Sequence, residues 1–325
     1  MKKLLSMILI LCLLLCSCAP QGTTHHFFGM DTVMTLQLVD GDEEDVLACE
    51  EAVKALEQKF SVTLEGSEIF ALNAEGSATL SADTAAVVEA GLRVNGETGG
   101  VFCLSLYPAG RLWGFTQETQ QVPSAAALEA VRPLVDDSAI RLEGKEISLP
   151  AGMALDLGGI AKGYAADLLA ILLEERQVEH YFLSLGGNVQ VGGGKADGAP
   201  WRVGIADPEG GDPVGIVELT DGAVVTSGGY QRNFTQDGVT YHHILDPETL
   251  SPAQSGLVSV TVVAESGTLA DGYSTALFVM GEKKALEFCA KNGIECILIT
   301  KDGRVVVSEG LRGNFKLNND RYIYE

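Results

Sequence analysis

Ala154-Leu155-Asp156-Leu157-Gly158-Gly159-Ile160-Ala161-Lys162-Gly163-Tyr164-Ala165-Ala166-Asp167 decides how this chain is read. An apolar run delivers a carboxylate, two glycines follow, and then a helical pattern begins. Glycines let backbone groups face a ligand with no side chain in the way. A helix start leaves free N–H groups, which suit an anion. Lys162 stands in the first turn, in reach of a phosphate. From spacing alone, a plain strand–turn–helix with a surface lysine fits equally well. The Walker pattern G-x-x-x-x-G-K-[ST] is absent.

The flanks set the fold class. Residues 43–60 repeat apolar positions at helical spacing, with Val46, Cys49, Val53, Leu56 and Phe60 on one face. Residues 82–97 and 160–177 read as further helices, and Ser124 after Pro123 caps another. Residues 268–280 and 283–292 are also helical in pattern. Strands are expected over 30–39, 181–185, 203–206, 215–220, 258–264 and 295–300. Hairpins are expected at Glu143-Gly144, Asp237-Gly238 and Asp302-Gly303. Helices mixed with hairpins indicate an α+β fold, not a simple parallel wind. The glycine turns do not fit G-x-G-x-x-G in a βαβ unit.

Two further stretches can carry chemistry. His242-His243-Ile244-Leu245-Asp246-Pro247 closes a strand with two histidines, either of which could act as a base. A satisfied structural histidine is the commoner outcome. In Leu269-Ala270-Asp271-Gly272-Tyr273-Ser274-Thr275, a helix puts Asp271 and Thr275 on one face. Magnesium favours such hard oxygens. An N-cap Asp before a core-facing Thr is favoured on spacing alone.

Taken in order, these stretches resemble the ApbE family, the FAD:protein FMN transferases. Phe28-Gly29-Met30-Asp31-Thr32, Ser67-Glu68-Ile69 through Asn73, and Leu112-Trp113-Gly114-Phe115 are similar to its early blocks. The central DLGGIAKGYAAD, then Leu185-Gly186-Gly187-Asn188, Thr226-Ser227-Gly228-Gly229-Tyr230, HHILDP and Asp271 to Thr275 follow in family order. The resemblance covers about residues 28–315. It implies a two-lobed α+β unit, T-fold-like, with hairpin-rich sheets, flanking helices and FAD between the lobes. It implies Mg²⁺ on Asp271, Thr275 and the backbone carbonyl of Gly159. Met30, Asp156, Lys162, Leu245 and Ser274 fall at FAD-contacting positions, and Val101, Phe102 and Cys103 fall where the flavin site is lined. The family usually has Asp where this chain has Cys103, so one carboxylate that accepts flavin or ribose hydrogen bonds is missing. The implied reaction moves FMN from FAD to a Ser/Thr hydroxyl of an acceptor protein and releases AMP. Lys162 and Asp271 would assist, and His243 would orient or deprotonate the hydroxyl. Implied acceptors are flavoprotein subunits of ion-pumping redox complexes, or surface reductases. Rival readings are an FAD pyrophosphatase that frees FMN, a non-catalytic flavin-binding lipoprotein, and a solute-binding lipoprotein of two doubly wound lobes.

The beginning of the chain is not fold. Lys2 and Lys3 precede an apolar run from Leu4 to Cys16, which is too short to span a bilayer of about 30 Å. Leu15-Cys16-Ser17-Cys18 resembles a bacterial lipobox. Residues 1–17 are therefore expected as a lipoprotein signal peptide and 18–27 as a tether. The domain is expected over 28–320. A lipid on Cys18 would hold the protein at the extracytoplasmic face of the cell membrane. The formal charge is −22 over 325 residues, and losing residues 1–17 removes Lys2 and Lys3 but no acid, leaving −24. That sign excludes a nucleic-acid partner, which needs a cationic face. It also argues against electrostatic adhesion to an anionic membrane. Cys49, Cys103, Cys289 and Cys296 form no C-x-x-C pair, so buried thiols are expected.

Overall fold

A computed structural model of the chain describes residues 22–117 and 119–325. Its centre is one sheet of nine strands that follow each other in chain order: β1 (Thr23–Gly29), β2 (Thr32–Leu38), β3 (Tyr181–Leu185), β4 (Asn188–Gly192), β5 (Gly222–Gly228), β6 (Leu257–Ala264), β7 (Glu295–Thr300), β8 (Arg304–Val307) and β9 (Ile323–Tyr324). Neighbours are antiparallel except β8 and β9, which run parallel.

Side chains on successive strand residues point to opposite faces, and this chain fills both. Cys296, Leu298 and Val306 face a large core under the helices, whereas Ile297, Ile299, Val305 and Val307 face a second core. That second core is closed by a three-stranded sheet, Trp201–Ile205, Gly215–Leu219 and Phe315–Leu317, which supplies Trp201, Val203, Val217 and Phe315. The mixed α+β architecture expected from the sequence is what the structure has.

The helices occupy two long connections. Between β2 and β3 lie α1 (Glu43–Phe60), α2 (Ala82–Glu97) and α3 (Ala161–Glu175); between β6 and β7 lies α4 (Gly267–Met280). Helix α1 starts where the sequence places it. Asp42 Oδ1 accepts the Glu44 and Asp45 N–H groups at 2.9 and 3.2 Å, and Asp45 Oδ2 accepts the Asp42 N–H at 2.9 Å. This is a reciprocal capping box. Its buried stripe is Val46, Cys49, Val53, Leu56 and Phe60. A third, smaller cluster gathers Ala109, Trp113, Leu128, Leu245 and Leu250, ringed by Phe115, Phe234 and Tyr241.

Two boundaries differ from expectation. The tether expected over 18–27 ends earlier, because from Thr23 the chain is already β1, paired with Leu38 back to Thr32. Its residues point alternately in and out beside an open strand edge, which backbone pairing fills. The domain end expected at 320 is also early. Ile323 donates its N–H to Gly303 and Glu325 donates to Val305, each at 2.9 Å, adding β9 to the sheet. The expected signal peptide and Cys18 lie outside the described residues.

Helices α3 and α4 cross at unusually close range. A Cβ on Gly163 would stand 2.1 Å from the Gly267 carbonyl oxygen and 2.7 Å from Asp271 Cβ. Asp167, one turn further along α3, caps α4: its carboxylate accepts the Ser266 hydroxyl at 2.9 Å, the Gly267 N–H at 2.6 Å, and the Thr268 N–H and hydroxyl at 2.9 and 2.7 Å. Gly163→Ala must push the helices apart and is expected to cost about 3 kcal/mol, the upper part of the usual overpacking range. Urea denaturation checks this, and an unchanged midpoint would show that the crossing tolerates a methyl group.

Candidate functional site

One end of the sheet gathers the groups singled out in the sequence. The turn at Met30 and Asp31 has positive φ at both residues, 48° and 58°, as a tight hairpin turn requires. Glu57 of α1 accepts the Met30 N–H at 2.9 Å. The Gly186-Gly187 turn lies beside it, with Gly186 against Thr32.

The central motif crosses this end. Asn73 pins the segment before Asp156, donating to the Leu155 carbonyl at 2.8 Å and accepting the Leu155 N–H at 2.7 Å. Asp156 then accepts the Gly158 N–H at 2.8 Å. Burial pushes its carboxyl above the ordinary range, and the Gly158 bond, Arg232 and Lys162 act in the opposite direction. Lys162 is half-buried and takes part in no ion pair among the described residues.

The chain turn at Gly159 meets α4. A Cβ there would lie 3.1 Å from the Phe102 ring and 3.6 Å from Thr275 Oγ1, so the missing side chain opens a cradle beside that hydroxyl. Asp271 is buried, at 4% exposure, and its Oδ2 accepts the Gly163 N–H at 2.9 Å. No hydrogen bond among the described residues claims its Oδ1. Ser274 is wholly buried, donating to the Asp271 carbonyl at 2.9 Å and meeting Ser227 Oγ at 2.8 Å. Ser227 also reaches Thr275 Oγ1 at 3.2 Å. A carboxylate, a hydroxyl and nearby backbone oxygens form a donor set that suits a hard divalent cation keeping some of its waters. Among the described residues no three His, Cys, Asp or Glu side chains cluster as a transition-metal site.

The two histidines sort into different roles. His242 packs edge-on against Phe278 at 5.4 Å, and its Nε2 lies 3.1 Å from the Ala253 carbonyl. His243 Nδ1 lies 3.2 Å from the Arg232 carbonyl, which also accepts the His243 backbone N–H at 3.1 Å. A carbonyl only accepts, so Nδ1 carries the proton and Nε2 keeps its lone pair. Burial lowers the His243 pKa to about 4, and the nearby cations Arg232 and Lys162 disfavour the imidazolium further.

Of the positions expected to line a flavin, Phe102 is buried against Gly159 and Val101 is half-buried. The Cys103 thiol donates to Asp137 Oδ1 at 3.1 Å, and burial raises its pKa. Leu245 is buried in the small apolar cluster. The structure thus brings Gly159, Lys162, Asp271, Ser274 and Thr275 together, with Asp156 and His243 facing the same cations. Sequence reasoning passed over Arg232 and Asp137, and gave Ser227 no role beyond its place in the Thr226-to-Tyr230 block. Arg232 sits in an ordinary hairpin and reaches Asp31 only at 3.8 Å, so nothing local marks it.

Residues 30–298 match the model of the ApbE family. The chain belongs to the ApbE family. An FAD:protein FMN transferase of Vibrio cholerae is 33% identical over 305 residues, covering 89% of this chain and 91% of that protein. One from Treponema pallidum is 34% identical over 303 residues, covering 86% and 84%. Among solved structures, the ApbE protein of Thermotoga maritima superposes with a TM-score of 0.85 at 32% identity, over 90% of this chain and 99% of that one. The flavin transferase ApbE of Vibrio cholerae gives 0.81 at 29% identity, with the same coverage. The mixed α+β, ApbE-like fold implied by the sequence is the fold found.

The histidine gives a pH test. Its folded-state pKa lies near 4 against an ordinary 6.5, so between those values the unfolded chain binds the extra proton. The stability contributed by the neutral imidazole is therefore complete above about pH 6.5 and falls away as the pH drops toward 4. His243→Gln is expected to flatten the stability curve over that window in urea titrations. A variant that loses stability as steeply as wild type there would contradict the buried neutral imidazole.

Proposed function

We propose that this ApbE-family chain cuts FAD between its two phosphates and moves the FMN half to a Ser or Thr hydroxyl of an acceptor protein. The acceptor oxygen forms a bond to the FMN phosphorus, the pyrophosphate P–O bond breaks, AMP leaves, and the hydroxyl proton passes to a base. The observation that carries this reading is the junction of α3 and α4. There Thr275 stands beside Gly159 and the Gly163 N–H holds Asp271, next to Lys162, with a lone-pair-bearing histidine close to that lysine.

Asp271, the Thr275 hydroxyl and the Gly159 backbone carbonyl would hold a magnesium ion. Bound there, it would neutralise charge that builds on the pyrophosphate oxygens. Asp271 is held for this by the Gly163 N–H, and Ser227 fixes the Thr275 hydroxyl from the sheet side. Lys162 and Arg232 add positive charge to a strongly acidic protein where an anionic substrate needs it. His243 Nε2 takes the acceptor proton, while the Arg232 carbonyl fixes its ring through Nδ1. Met30, Val101, Phe102, Cys103, Asp156, Leu245 and Ser274 form the FAD-binding set; of these, Ser274 acts through Ser227 and the Asp271 carbonyl, and Leu245 through packing.

The cellular setting follows from the same reading. A lipid on Cys18 anchors the protein at the extracytoplasmic face of the membrane. Its acceptors there are flavoprotein subunits of ion-pumping redox complexes, or surface reductases.

The purified mature chain, mixed with FAD, Mg²⁺ and an acceptor domain, is expected to raise the acceptor's mass by one FMN and release one AMP per transfer. Free FMN with no acceptor mass gain would identify a pyrophosphatase instead. Asp271→Ala is expected to lower transfer by about 10²- to 10³-fold, as loss of a group that stabilises transition-state charge does. Near-normal transfer by this variant would remove Asp271 from the metal site.

A further inference from the structure

Asp137 is almost fully buried, at 4% exposure, yet no cation pairs with it among the described residues. Every contact it makes goes to one turn. Oδ2 accepts the Leu104 N–H at 2.7 Å. Oδ1 accepts the Ser105 N–H at 2.9 Å, the Ser105 hydroxyl at 2.6 Å and the Cys103 thiol at 3.1 Å. Four donors on three consecutive residues thus converge on one carboxylate from 32 to 34 positions downstream. A buried carboxylate is tolerated only with such complete satisfaction.

The turn it holds belongs to the candidate site. Phe102, at its start, faces Gly159, and the Leu104 carbonyl accepts the Asp156 N–H at 2.9 Å. Asp137 therefore reaches the central motif through one backbone hydrogen bond.

We infer that Asp137 is a positioning residue for FAD: its carboxylate holds the turn at residues 103–105 against the central motif. The inference rests on the proposed FMN transfer. Cys103 fits this role because a thiol can donate to Asp137, whereas a carboxylate would oppose it at about 3 Å. All of Asp137's bonding goes to the turn, so it shapes the pocket and leaves flavin contact to Phe102 and its neighbours.

The test is a transposition of the carboxylate, read by FAD fluorescence quenching, by separate KM values for FAD and acceptor, and by melting temperature. Asp137→Asn leaves two or more N–H groups facing an amide and is expected to raise the KM for FAD about tenfold, with the acceptor KM unchanged. Cys103→Asp alone is expected to raise it similarly, through two opposed carboxylates. The double variant Cys103→Asp/Asp137→Asn is expected to return within about threefold of wild type, since the pair is coupled. Ser105→Ala removes one donor and keeps the carboxylate. It covers the case in which Asp137→Asn does not fold, and should raise the KM for FAD about threefold. Wild-type enzyme that binds no FAD sinks the functional reading and this inference with it. Wild-type transfer with an unchanged FAD KM in Asp137→Asn or Ser105→Ala, or a double variant no better than the singles, overturns the inference alone.

Discussion

Helices α3 and α4 touch through glycine, and the site depends on that contact. Gly163 and Gly267 present bare backbone to each other, so the helices approach more closely than any side chain permits. The close approach lets the Gly163 N–H reach Asp271 and lets Asp167 cap the N-terminus of α4. One surface thereby fixes both the register of α4 and the direction of its carboxylate. A slip of one residue would move α4 by about 1.5 Å and turn it by about 100°, carrying Thr275 away from Gly159. The glycine that looks like a weak point in a helix is what holds the site in register.

Legibility in the sequence followed how much of each element is decided locally. Helix α1 could be read to the residue because its cap, its acidic first turn and its apolar stripe all lie within its own span. The Asp237-Gly238 hairpin could be read because that pair supplies the positive φ its turn needs. Strands β4 and β5 could not. Both are buried on two faces, so their residues are mostly inward whichever way they point and the alternation is lost. Strand β1 was hidden for the opposite reason: its side chains are half-exposed, and what makes it a strand is the edge that β2 offers. In the site, the spacing of Asp156, Lys162, Asp271 and Thr275 fitted a plain structural reading at least as well, and the family resemblance is what gave that spacing a meaning. Nothing local marks Asp137, because its partners include backbone N–H groups more than thirty residues away.

A protein with formal charge −22 must concentrate what cations it has if it is to hold an anion. Its arginines are mostly spent elsewhere. Arg304 is shared by Glu282, Asp302 and Glu325, and Arg321 by Asp207 and Glu209. Lys162 and Arg232 are the exceptions near the site. Lys162 has no ion-pair partner among the described residues, and Arg232 only a distant one at 3.8 Å. Their charge stays available, and it is felt by both Asp156 and His243. The overall charge repels anions broadly while this pocket admits one.

The same two cations bear on the timing of proton transfer. In the free protein they help keep His243 neutral, with a pKa near 4, which makes it a weak base at neutral pH. Under the proposed reading, FAD brings a pyrophosphate whose negative charge offsets Lys162 and Arg232. The imidazolium then becomes easier to form, and the histidine is a better base with substrate bound than without it. Closing the pocket on FAD also removes water, which strengthens both effects at once. Free enzyme and complex are read separately, by kcat/KM and by kcat. The acid limb of kcat is accordingly expected at higher pH than that of kcat/KM, and coincident limbs in transfer assays would mean that the substrate's charge does not reach His243.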